Sequence, residues 1–91
     1  MTIVVNLRKE PYDVYIGRGN KYNHKGMFGN PYSEGTREQN IALFKEYFYE
    51  RIFNDKEFEK RVLELKDKVL GCFCKPLPCH GDIIAEYLNN L

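Results

Sequence analysis

The feature that most constrains this chain is a two-helix block set between two short apolar runs. Thr36-Arg37-Glu38-Gln39 reads as a capping box at a helix start, with the Thr36 hydroxyl accepting from the Gln39 backbone amide and the Gln39 side chain reaching back to the Thr36 backbone. Ile41, Phe44, Phe48 and Ile52 then follow at three- and four-residue steps, the period of one helix face. Asn54-Asp55 interrupts the pattern, and a second helix runs from about Lys56 to Lys66 with Phe58, Val62 and Leu65 on one stripe. Tyr12–Ile16 precedes this block as an apolar run and Val69–Phe73 follows it. A connection of that length permits a crossover that makes the two flanking strands parallel neighbours. Their carboxyl ends then share one edge of the sheet, the edge where open α/β sheets take their ligands.

The remaining elements fit around that unit. Thr2–Leu7 is β-branched and apolar and reads as a first strand, broken by Arg8-Lys9-Glu10-Pro11. Its short link to the second strand predicts an antiparallel pair. The last helix places Ile83, Ile84, Tyr87, Leu88 and Leu91 on one face. The expected fold is therefore α/β: a small three-stranded mixed sheet with three helices, in the order β-β-α-α-β-α. With 91 residues the chain is read as a single domain, residues 1–91, with one modest core. Seven Tyr and six Phe supply bulky apolar surface for it.

Charge and targeting signals narrow the function classes. A net charge of +1 gives no global case for nucleic acid, so nucleic-acid partners are not expected. The first 32 residues do carry Arg8, Lys9, Arg18, Lys21 and Lys25 against Glu10 and Asp13, a local excess that would favour a phosphate-bearing ligand. The sequence shows neither an apolar run of membrane-span length nor a signal-peptide core, so a cytoplasmic location with no membrane partner is expected. In that compartment the three cysteines stay reduced and are not a disulfide framework.

Two loops leave the shared edge, and both are unusual. Residues 17–35 hold five of the seven glycines together with Tyr22, His24, Phe28 and Tyr32. Gly17-Arg18-Gly19 begins this loop at the end of a strand. The glycines let the backbone turn, and Arg18 offers a planar fork for phosphate. Asn30, in Gly29-Asn30-Pro31, is a turn residue that could also read a base edge. The second loop, residues 71–82, contains all three cysteines. Cys72, Cys74, Cys79 and His80 are metal-capable types, but neighbouring Cys79 and His80 rarely converge on one ion and the two-residue knuckle spacing is absent. No metal and no cofactor is therefore expected. Cys79 stands where the last helix begins, a position that favours a thiolate. Cys72 and Cys74 read as small buried hydrophobes. His80-Gly81-Asp82 opens the helix with backbone N–H groups suited to an anion, and Asp82 either complements the helix dipole or accepts from a sugar or base.

Taken together, Val4–Arg8, Val14–Gly19, Gly29–Pro31, Gly35–Arg37 and Leu70–Cys74 through Cys79-His80-Gly81-Asp82 resemble a small family of unknown function. It is the one numbered four-three-two-six among the domains of unknown function, frequent in phage and bacterial genomes. The resemblance covers nearly the whole chain, and cysteine–aromatic–cysteine followed by Cys-His-Gly-Asp is its specific part. Phe73 stands where the family usually has Trp, and residues 20–27 make a longer loop than is common. The resemblance implies a compact site and a phage context, and no activity.

These readings converge on binding of a phosphate-bearing, nucleotide-derived small molecule, such as a host signalling nucleotide that a phage protein sequesters or alters. Gly17, Arg18, Gly19, Asn30, His80, Gly81 and Asp82 are the expected ligand-binding residues. The alternative is a thiol- or metal-dependent enzyme acting on a nucleotide or its conjugate, in which Cys79, His80 and Asp82 carry catalysis. A third reading is a protein–protein module that uses the aromatic loop.

Overall fold

The computed structural model describes residues 1–17 and 28–91. Three strands, β1 (Ile3–Asn6), β2 (Val14–Tyr15) and β3 (Val69–Cys72), form one sheet. Three helices, α1 (Arg37–Asn54), α2 (Lys56–Leu63) and α3 (Gly81–Asn89), complete the fold in the expected order. The capping box at Thr36 is present in both directions, Gln39 N–H to Thr36 Oγ1 at 3.2 Å and Thr36 N–H to Gln39 Oε1 at 2.9 Å. At the α1–α2 junction Asp55 turns the chain, its carboxylate accepting from the Phe58 amide at 3.1 Å. That hydrogen bond is the main reason its carboxyl lies below the usual range.

The sheet is parallel throughout rather than mixed. β3 lies in the middle, in the order β1-β3-β2, and both neighbours run parallel to it. The expected antiparallel β1–β2 hairpin does not form. The chain instead turns at Asn6, whose carbonyl accepts from the Lys9 and Glu10 amides, and runs back to the start of the sheet. Asp13 then docks on β3 from both sides, its amide donating to the Val69 carbonyl and its carboxylate accepting from the Val69 amide, each at 2.8 Å.

This return crosses β3 over Gly71. A Cβ built there would stand 2.7 Å from Tyr12 Cγ, so the glycine leaves room for the ring. Glycine inside a strand commonly marks such an approach. In the parallel register Val4, Leu70 and Val14 share a face, while Val5 and Gly71 share the other. The first face meets the helices. Leu70, Ile16, Phe44, Phe48, Phe58, Val62, Ile84 and Leu88 make the core there, all nearly or fully buried. Replacing one of its phenylalanines with alanine is worth about 3–5 kcal/mol.

Candidate functional site

Because β2 and β3 are parallel, their carboxyl ends do lie on one edge. A pocket of about 450 Å³ opens there. Its walls come from Tyr15 and Gly17 at the end of β2, Cys72–Cys74 at the end of β3, Asn30 and Tyr32 from the glycine-rich loop, and Arg37, Asn40 and Ile41 from the first turns of α1. Pro78, Cys79 and His80, just before α3, close it.

Each wall is held by local hydrogen bonds. Asn30 is buried; its Nδ2 donates to the Asn40 carbonyl at 3.0 Å and its Oδ1 accepts from the Tyr32 amide at 2.9 Å. These bonds fasten the Gly29–Tyr32 turn to α1. Asn40 in turn grips both backbone groups of Gly35. Arg37 donates from one N–H to the Pro78 carbonyl at 3.2 Å, tying α1 to the cysteine loop. A guanidinium has five N–H donors, so most of the fork is left for an anion.

His80 is buried and joins the two loops. Its Nε2 lies 2.7 Å from the Ile16 carbonyl. A carbonyl only accepts, so the proton sits on Nε2. The ring also meets Phe44 edge-on, 5.0 Å between centroids.

The cysteines show the largest departure from expectation. Cys72 projects from β3 towards the helices, as Leu70 does two residues earlier. Cys79 lies against it, with the sulfurs 3.2 Å apart. Both are buried and both line the pocket. The two thiols share a hydrogen bond in which either sulfur can donate; with Cys72 as the acceptor, the Cys74 and Lys75 amides donate to it as well and the Lys75 ammonium is near. Against the cost of burial, these lower the Cys72 thiol to about 6. The same hydrogen bond and burial push the Cys79 thiol up. The helix-start argument favours a thiolate at Cys79; the structure sets that sulfur against Cys72, which the Cys74 and Lys75 amides favour as the more acidic member of the pair.

Asp82 and Gly81 stand behind the pocket rather than in its wall. Asp82 pairs with Lys75 and accepts from the Cys79 amide at 3.1 Å. Gly81 packs on the sheet: a Cβ there would come 2.5 Å from Ile16 Cδ1 and 3.1 Å from Val4 Cγ1. The Asp82 and Ile83 amides are used by the Cys79 and His80 carbonyls, each at 3.0 Å. The first turn of α3 is therefore occupied by its own chain. Arg18 and Gly19 lie outside the described residues. Among the described residues no group of three or more His, Cys, Asp or Glu is placed to hold a metal ion. Nor is any helix among them long and apolar enough to cross a membrane.

Arg37, Tyr15, Tyr32 and Phe73 line the pocket although none is among the ligand-binding residues expected from the sequence. The Phe73 ring carries the Arg8 guanidinium at 5.0 Å on one side and meets Tyr15 edge-on at 6.1 Å. Arg37 directly follows the capping threonine, and that adjacency was the available signal.

A family model described as "Domain of unknown function (DUF4326)" matches residues 5–90. The chain belongs to this family. It is also 42% identical over 91 residues to an "Uncharacterized 12.4 kDa protein in nrdA-td intergenic region" of Enterobacteria phage T4. That match covers 97% of this chain and 78% of the phage protein. No solved structure matches significantly. The DUF4326 match spans β1 to the end of α3, and thus every described pocket wall.

Proposed function

We propose that this DUF4326 protein binds a phosphate-bearing, nucleotide-derived small molecule in the pocket at the carboxyl edge of its sheet. The observation that carries the reading is the joint presence of Arg37 and the rings of Tyr15, Tyr32 and Phe73 around about 450 Å³ of space. That volume is typical of small-molecule sites. A guanidinium fork suits phosphate, and aromatic faces suit a base. Arg18, one strand end away in sequence, would add a second cation. The phage T4 relative supports a phage setting; in it the ligand would be a host signalling nucleotide that the protein sequesters or alters in the cytoplasm.

The test is calorimetric titration with nucleoside mono-, di- and triphosphates and cyclic dinucleotides, on the wild type and on Arg37→Ala. Binding of at least one, weakened about tenfold or more in the variant, is expected, since a charged hydrogen bond is worth about 1.5–3 kcal/mol. Absence of binding to every member at millimolar concentration would refute the reading.

The thiol pair in the same wall favours a second reading, an enzyme acting on such a ligand. There Cys72 is the nucleophile and Cys79 its proton donor, with His80 beside the pocket. Turnover of a bound nucleotide by the wild type, lost in Cys72→Ser with binding retained, distinguishes the enzyme from the binder.

A further inference from the structure

We propose that Cys72 and Cys79 are a reversible dithiol–disulfide pair, oxidised by a small hydroperoxide that reaches them through the pocket. This goes beyond ligand binding and does not depend on it. The sulfurs are already 3.2 Å apart, and both are free thiols. Closing that gap by about 1 Å reaches the S–S bond length of about 2.0 Å. Both residues are 2% exposed, so the pocket they line is their route to solvent. A peroxide, close to water in size, fits that route better than a bulky disulfide. Cys74 also lines the pocket, half-buried, and is the competing third thiol.

The surrounding charges favour the first step. The Lys75 ammonium, paired with Asp82, is near Cys72, and Arg37 lines the same pocket from α1. The Cys72 thiolate attacks one peroxide oxygen. The O–O bond breaks, giving Cys72 sulfenic acid and hydroxide, which a solvent proton converts to water. The Cys79 sulfur then attacks the Cys72 sulfur. The S–S bond forms, the S–O bond breaks, and the leaving hydroxide takes the Cys79 proton as water. Two thiols and one peroxide become one disulfide and two waters. A small dithiol reverses the change by exchange, ending as its own cyclic disulfide.

Intact-mass measurement and peptide mapping after hydrogen peroxide treatment test this on the full chain. The wild type and Cys74→Ser should lose the mass of two hydrogens and give a Cys72–Cys79 cross-linked peptide, and dithiothreitol should restore both. Cys72→Ser should lose its remaining thiols to peroxide about tenfold more slowly or less at neutral pH, since ordinary thiols are only a few per cent ionised there. A cross-link from Cys74, or oxygen gain without hydrogen loss in the wild type, would overturn the proposal. So would an undiminished two-hydrogen loss in Cys79→Ser. Mapping the oxidised wild type gives the answer even where a serine variant fails to fold.

Discussion

The two ends of the sheet are built on opposite plans. At the amino end, buried Thr2 exchanges two backbone bonds with the Asn89 side chain, 2.8 Å and 2.9 Å, and its hydroxyl accepts from the Asp67 amide at 2.9 Å. Asp67 turns the chain there with a positive φ of 63°. The polar groups of this end are spent on one another. At the carboxyl end, loops, an arginine and three thiols surround open space. The same three strands thus anchor the fold at one end and display chemistry at the other. The polar side chains of the amino end hold the fold together, while the pocket wall at the carboxyl end carries the thiols and Arg37.

Substitutions should separate the two. Asn89→Ala strips partners from both backbone groups of Thr2, so a loss of about 2 kcal/mol in urea unfolding is expected, with Cys72 reactivity unchanged. Gly71→Ala forces Tyr12 off β3 and should cost about 1–3 kcal/mol, as overpacking does. A smaller cost than about 0.5 kcal/mol would mean that Tyr12 does not rest there.

The thiol pair should sharpen the contrast through pH. Alkylation of Cys72 by iodoacetamide should rise through pH about 6, well below the ordinary thiol value of 9.0. The sign for stability follows from proton counts. Between about 6 and 9.0 the folded pair holds one proton fewer than the unfolded pair, so stability rises with pH. Above that range the raised Cys79 keeps a proton the unfolded chain has lost, and stability falls. A thermal melting series from pH 5 to 10 should therefore show a maximum, flattened in Cys72→Ser. The smallest stability effect belongs to Arg37→Ala, within about 0.5 kcal/mol, because the side chain is exposed and gives up one bond to Pro78.

Much of this was legible along the chain because local chemistry decides it. The capping box at Thr36, the helix faces through Phe44, Phe48 and Phe58, and the three apolar strands follow from short-range pattern. The two-helix block is long enough for the crossover that makes β2 and β3 parallel, and that pairing brings the glycine-rich and cysteine loops to one edge. The pairing of β1 was misread, since a seven-residue link is long enough both to close a hairpin and to run back across a strand. The fit of Tyr12 over Gly71 and the two bonds of Asp13 to Val69 go with the second course.

The site divides in the same way. Sequence determined that Cys72, Cys79, His80 and Asn30 belong to loops at one edge of the sheet. It could not determine which sulfur meets which, because spacing along a loop does not fix directions in space. Tertiary structure paired Cys72 with Cys79, withdrew Asp82 to Lys75 and seated Gly81 on Val4 and Ile16. It also brought Arg37 into the wall from the start of α1. The physical reason is that acidity and reach depend on what stands within a few ångströms, and only packing sets that distance.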